Sequence, residues 1–489
     1  MRTFKNPILP GFHPDPSICC VGDDFYLVTS TFEFFPGLPI FHSKNLVDWE
    51  LIGHGLDRES QLQLSNENPN AFGLYAPTIR YINHRFYIVC TNVPHTGPGT
   101  GNFIIWTDDV NGTWSDPVWL DLPGIDPSLF VDDDGTVYYT GADAGIFLSK
   151  INLTTGETTE RIDIWSGTGA ADPEGPHIYK KNGYYYLMIS EGGTSYGHMI
   201  VMARSQNIVG PYEAFEGNPV LTNRSSNSTI QAIGHSDLVQ DSNHNWWAVC
   251  LGIRPLAYPR AHLLGRETFL VPVQWEFDWP TFGEKGQVKE LMSGPLPGQE
   301  DNSSEKQLDW LTLFGEQAPF VVEKLAGFEL IASHHTLSDS QPMAWTGIRQ
   351  QHFDFRFSAT LVTPLVSGEV GITAFLNPTH HYEIYLERNT NLSLNFRRQI
   401  GSLWKIEKTI PLIKEPKEIT FILEGTPSTY EFSYQVDGEA PIVIGEGETH
   451  YLTTEVGGVF TGMMLGIYAS NPLNDGSKLE IERIKYFGK

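Results

Sequence analysis

Over roughly the first 290 residues the apolar positions fall in short runs of strand length, and the three-and-four spacing of long amphipathic helices is hard to find. The runs recur as a unit. Asp15-Pro16-Ser17-Ile18 leads into GDDFYLVTS, Ala76-Pro77-Thr78-Ile79 into NHRFYIVCT, and Asp126-Pro127-Ser128-Leu129 into DDGTVYYTG. Glu174-Gly175-Pro176-His177-Ile178 leads into KNGYYYLMIS, and Gly234-His235-Ser236-Asp237-Leu238 into NHNWWAVCLG. Each unit runs from a small or acidic residue, usually beside a proline, through an apolar strand and a polar turn to an aromatic strand. The units start at 15, 76, 126, 174 and 234, so they are 48 to 61 residues apart. That spacing, with several short strands per unit, predicts an all-β, five-bladed β-propeller over residues 1–292.

Near residue 290 the repeat stops. Residues 293–310 begin with SGPLPGQEDNSSEKQ and read as a linker. Beyond it, strict alternation dominates. Tyr382, Ile384 and Leu386 alternate with Glu383 and Glu387, and Phe432, Tyr434 and Val436 lead to the hairpin signal Asp437-Gly438. Half-buried strands with turns between them predict a C-terminal β-sandwich over 311–489. It carries no carboxylate constellation. It could bind carbohydrate, brace the propeller or close one side of a pocket.

Charge narrows the partners. With 32 basic and 58 acidic residues the formal net charge is −26. Such a surface repels phosphate backbones and anionic lipid, so neither nucleic acid nor a membrane is expected, whereas a neutral oligosaccharide is acceptable. The N-terminus lacks an apolar signal-peptide core, and no run is long enough to span a bilayer. The four cysteines, Cys19, Cys20, Cys90 and Cys250, match no metal or redox motif and read as buried free thiols. Together these point to a cytoplasmic protein. A homo-oligomer is compatible with the sequence, which does not specify one.

The repeat has a chemical consequence. Innermost strands of a propeller line its axis, and equivalent positions converge at one end. Asp15, Asp126 and Glu174 hold near-equivalent positions in units one, three and four, so they should meet in space. Proline beside Asp15 restrains it, and an extended conformation is expected there. Structural turns could explain single Asp-Pro steps, but three gathered carboxylates repel one another, which structure alone would rarely select. Asp132-Asp133-Asp134-Gly135 lacks the ligands of a calcium loop and reads as a hairpin turn.

The motifs GFHPDPSI, STFEFFPGLPIFHSKNLVDWE, YAPTIRY, GIDPSLF, PEGPHIYKKNGYYYLMISEGGTSYGH, IGHSDLV and HLLGRETFLVPVQW resemble glycoside hydrolase family 43, in its β-xylosidase and α-L-arabinofuranosidase branch. RQQHFDF, GEVGITAFLNPTHHYEIYL and GVFTGMMLGIYAS resemble that branch's concanavalin-like sandwich domain. The resemblance implies inverting, exo-acting release of terminal xylose from β-1,4-xylo-oligosaccharides. Arabinofuranose is the alternative sugar, and a non-catalytic carbohydrate-binding propeller the alternative class. It implies Asp15 as general base, Glu174 as general acid, and Asp126 as the residue that orients Glu174 and raises its pKa by staying ionised. Arg266 is expected to bond a sugar hydroxyl or the base. Phe32 and Tyr75 are expected to stack on the sugar, with Phe34 and Phe35 equally readable as core, and Phe460 to reach in from the sandwich. His235 reads as a strand-start histidine near the pocket floor. No cofactor is required, but relatives place a divalent cation such as Ca2+ beside such a histidine. One histidine alone provides no multi-ligand spacing.

Overall fold

The computed structural model describes residues 1–489 except 63, 65–71, 95–98, 277, 300–307, 316–319 and 474–475. Each sequence unit becomes the first two strands of its own antiparallel sheet. The five inner strands are Ser17–Val21, Thr78–Ile82, Ile125–Val131, Glu174–Lys181 and Gln231–Gln240. Each pairs with the aromatic strand after it; two further strands complete four of the sheets, and three complete the second. We take each sheet as one blade of the propeller. The polar turns do what their composition requires. At Asp132-Asp133-Asp134-Gly135 the Asp132 N–H donates to Thr136 O and the Gly135 N–H to Asp132 O, closing a hairpin.

A polar hub fastens all five inner strands at the axis. The buried Asp237 carboxylate of the fifth accepts from Ser17 Oγ of the first at 2.7 Å and from Tyr179 OH of the fourth at 2.7 Å. Both Nη atoms of Arg80, in the second, donate to it at 2.7 and 3.0 Å. His177 Nδ1 accepts from Arg80 Nη2 at 3.0 Å and lies 2.8 Å from Ser128 Oγ of the third. Burial alone would raise Asp237, but Arg80, with the Ser17 hydrogen bond, outweighs it and holds the carboxyl well below its ordinary range. Burial, reinforced by Arg80, pushes His177 down to about 3, which keeps it a neutral acceptor.

Arg2–Lys5 pairs with Leu291–Gly294, joining the two ends of the first domain. The predicted linker therefore begins inside a strand: Ser293 and Gly294 face Thr3 and Arg2. Arg2 also donates to the carbonyls of Leu296, Pro297 and Gly298, and residues 300–307 of that linker lie outside the described residues.

The second domain stacks a seven-stranded sheet on a six-stranded one. The strand His380–Arg388 of the six-stranded sheet is not half-exposed as its alternation predicts. His381 and Glu383 are as buried as Tyr382 and Ile384, because the polar face turns toward the propeller instead of solvent. Glu383 meets the cost of burial with Arg397 and with His381 Nδ1 at 2.6 Å. An apolar cluster spans the junction, with Phe12, Phe32 and Phe34 against Trp345, Tyr385 and Tyr468. Thr312–Leu313 also pairs with Phe34–Phe35 of the propeller. Cys19, Cys90 and Cys250 are buried free thiols, whereas Cys20 is only half-buried, at the outer end of its strand.

Candidate active site

Three of the five inner strands begin with irregular register, and the irregularity aims the side chains. Pairing shifts between Ile125 and Ser128, between Glu174 and His177, and between Gly234 and Ser236. The residues at these shifts have left-handed backbone: Asp126 at φ 56°, Gly175 at 59° and His235 at 44°. Asp15, just before the first inner strand, has φ 55°. The extended conformation expected of Asp15 is not adopted. A non-glycine residue held in left-handed backbone costs about 1–3 kcal/mol and persists only where the surroundings enforce it. In the fourth blade glycine takes the left-handed position, so the carboxylate comes from one residue earlier, Glu174. Space is also tight at Gly175, since a Cβ there would lie 3.1 Å from the His235 ring.

Asp15, Phe32, Tyr75, Asp126, Glu174, His235, Arg266 and Phe460 all line one cavity of about 120 Å³, with Ala76, Ile125 and Thr194. Asp15 is buried. It accepts from Ser30 Oγ at 2.6 Å and Arg266 Nη1 at 2.8 Å, and His235 Nδ1 stands 3.9 Å away. Arg266 is fixed in turn by Thr194 Oγ1 at 3.2 Å and Phe460 O at 3.3 Å. Asp126 accepts from the Gly175 N–H at 3.1 Å. Burial pushes Asp126 up to about 7, with Glu174 and Asp15 adding to the shift and His235 opposing it. The sequence led us to expect an ionised Asp126; its burial makes it the carboxyl that titrates near neutrality. Glu174 is more open, its side chain about one-fifth exposed.

The aromatic wall draws on both domains. Phe460, from the sandwich, stacks on Phe32 at 5.7 Å and meets Tyr75 edge-on at 6.0 Å. Phe34 and Phe35 are core: Phe34 packs on Trp345, and neither lines the cavity. Ser30, Thr194 and His198 were not singled out from the sequence. Lone hydroxyls and a lone histidine carry no spacing signal, although all three lie within motifs quoted above.

His235 offers an ion on the axis one imidazole. No group of three or more His, Cys, Asp or Glu is set to chelate a metal among the described residues. A cation there would be held by His235 and water, and no catalytic step is routed through one. No helix among the described residues is long and apolar enough to cross a membrane.

An axial pocket with three carboxylates, a guanidinium and an aromatic wall, on a propeller capped by a sandwich, is the arrangement of a glycoside hydrolase. Comparison with known proteins agrees. The model for Glycosyl hydrolases family 43 matches residues 4–280, and that for the Beta xylosidase C-terminal Concanavalin A-like domain matches 302–486. The chain belongs to glycoside hydrolase family 43. It is 39% identical over 491 residues to the non-reducing end alpha-L-arabinofuranosidase BoGH43B of Bacteroides ovatus, covering 96% of this chain and 92% of that one. It is 36% identical over 511 residues to a xylosidase/arabinosidase of Butyrivibrio fibrisolvens, covering 96% of each. Among solved structures, xylan beta-1,4-xylosidase from Bacillus halodurans superposes with a TM-score of 0.90 at 30% identity, over 99% of each chain.

Proposed function

We propose that the protein is an exo-acting, inverting hydrolase that removes one terminal pentose from short oligosaccharides, with β-linked xylose as substrate. The observation that carries this reading is the cavity itself. At about 120 Å³ it is well below the roughly 300–1,000 Å³ of drug-sized ligand pockets, and it suits one sugar ring. Its three carboxyls, with the Phe32, Tyr75 and Phe460 wall, suit an apolar sugar face and a scissile bond at the mouth.

In this reading Glu174 donates its proton to the glycosidic oxygen as the bond to the anomeric carbon breaks. A water attacks that carbon from the opposite face and gives its proton to Asp15. The Asp15 carboxylate is held in one orientation by Ser30 and Arg266. The charge on Glu174 adds to the upward shift of Asp126 and so favours the neutral form of that buried carboxyl. The product leaves with inverted configuration.

A second reading, terminal α-L-arabinofuranose, is favoured by the name of the 39%-identical relative. Both sugars present similar hydroxyl patterns to one pocket. Hydrolysis of an aryl β-D-xylopyranoside beside an aryl α-L-arabinofuranoside discriminates them. Preference for the first supports the xylosidase reading, and preference for the second replaces it. Cleavage of neither substrate favours a binding module. Proton NMR of the first-formed sugar tests inversion, and a retained anomer would refute it.

A further inference from the structure

The Glu174 carboxyl has a neighbour outside the three-carboxylate scheme. His198 ends the turn that leads into the strand Met199–Ser205 and is fully buried. Its Nε2 stands 3.2 Å from Glu174 Oε1. Neither ring nitrogen makes an aligned hydrogen bond, although both are buried. A buried imidazole without a partner costs about 1–3 kcal/mol, so chance packing is a poor explanation. The surroundings are shaped for this ring. Gly234 lies against it so closely that a Cβ there would fall 2.0 Å from the imidazole. The backbone is pinned as well: the His198 N–H donates to Ser195 O at 3.0 Å, and Thr222 Oγ1 donates to His198 O at 3.0 Å.

We propose that His198 is a positioning residue for the acid: its Nε2–H donates to Glu174 Oε1 and leaves Oε2 to carry the proton to the leaving group. The inference rests on the reading of Glu174 as the acid. In the resting site the contact is close but misaligned, as hydrogen bonds of ligand-free active sites often are. As Glu174 gives up its proton, charge grows on the carboxylate, and a neutral donor bond becomes a charge-assisted one. The interaction is therefore stronger in the transition state than in the ground state, which is the condition for it to accelerate the chemical step. The turn and Thr222 hold the His198 backbone, and Gly234 lies against the ring. Its value lies in orientation, and it matters most where the leaving group needs the proton most.

The test compares His198→Gln with His198→Met. The two side chains are similar in size, but only glutamine keeps an N–H donor. Each is assayed on a phenyl glycoside, whose leaving group needs protonation, and on a 2,4-dinitrophenyl glycoside, whose leaving group does not. Removal of the donor is expected to lower kcat on the phenyl substrate by roughly 10–100-fold, with the dinitrophenyl rate and KM changing less than about threefold. His198→Gln should recover most of that loss. Equal losses for both variants, in rate or in melting temperature, would assign His198 to packing and overturn the inference. So would equal losses on both substrates. Glu174→Gln run alongside separates the two ideas. If it still cleaves the phenyl glycoside, the acid assignment itself fails; if it is inactive while the His198 variants match each other, only the His198 inference fails.

Discussion

Replacing Asp126 with asparagine should stabilise the protein above neutral pH while lowering its activity. Asp126 is buried, and its carboxyl moves from an ordinary 3.8 to about 7, first through burial and then through Glu174 and Asp15. At about 1.36 kcal/mol per pH unit, that corresponds to about 4 kcal/mol in favour of the neutral form, an upper figure for a group coupled to its neighbours. The fold thus binds this proton more tightly than the unfolded chain does. Below pH 3.8 both states are protonated and the group costs nothing. Between 3.8 and about 7 the unfolded chain ionises while the fold does not, so stability falls as pH rises, and above 7 the loss is complete. Asparagine keeps an oxygen for the Gly175 N–H and carries no charge. Melting temperatures of both proteins should coincide near pH 4 and separate progressively, the variant gaining about 2–4 kcal/mol by pH 8. Comparing the two proteins at each pH matters, because a two-domain chain need not unfold in one step. A gap that does not change between pH 4 and 8, or a variant less stable at pH 8, would refute the argument.

Three further outcomes are expected. Phe460→Ala removes the ring that stacks on Phe32, and should raise KM by roughly tenfold with little change in melting temperature; steady-state kinetics with an unchanged KM would remove the sandwich from the substrate wall. Gly175→Ala adds a Cβ beside His235 at φ 59° and should cost about 1–3 kcal/mol and slow turnover by shifting Glu174, read by urea unfolding and kcat together. Asp237→Asn breaks the buried pair with Arg80 and should destabilise the propeller by about 3–5 kcal/mol; a loss below 1 kcal/mol in urea would show that the hub is dispensable.

The repeat was legible because blades reuse one local pattern, and it singled out Asp15, Asp126 and Glu174. It did not show that Glu174 lies one residue before the left-handed position that Asp126 occupies. Backbone sign is not encoded in hydrophobicity, and the proline after Asp15 argued for the wrong region. Phe32 and Phe34 are two residues apart, yet one lines the cavity and the other does not. A left-handed φ of 50° at Phe32 redirects the chain there. Glu383 misled for another reason. Alternation identifies two faces of a strand but not what covers each, and the propeller covers the face that reads as solvent-exposed. His198 left no sequence signal, because its meaning depends on Glu174 and Gly234 in two other strands.

The hub under the pocket also governs how positional error spreads. Ser17 and Asp237 are 220 residues apart, yet one side-chain bond of 2.7 Å joins them. Asp15 is two residues from Ser17, Asp126 two from Ser128, and His235 two from Asp237. The pocket groups are therefore surveyed from a common benchmark instead of along the chain. Slack in any outer strand or loop stops at that benchmark and does not accumulate from one carboxylate to the next. Loops and outer strands can then vary, and with them the width of the mouth, while the pocket groups keep their spacing.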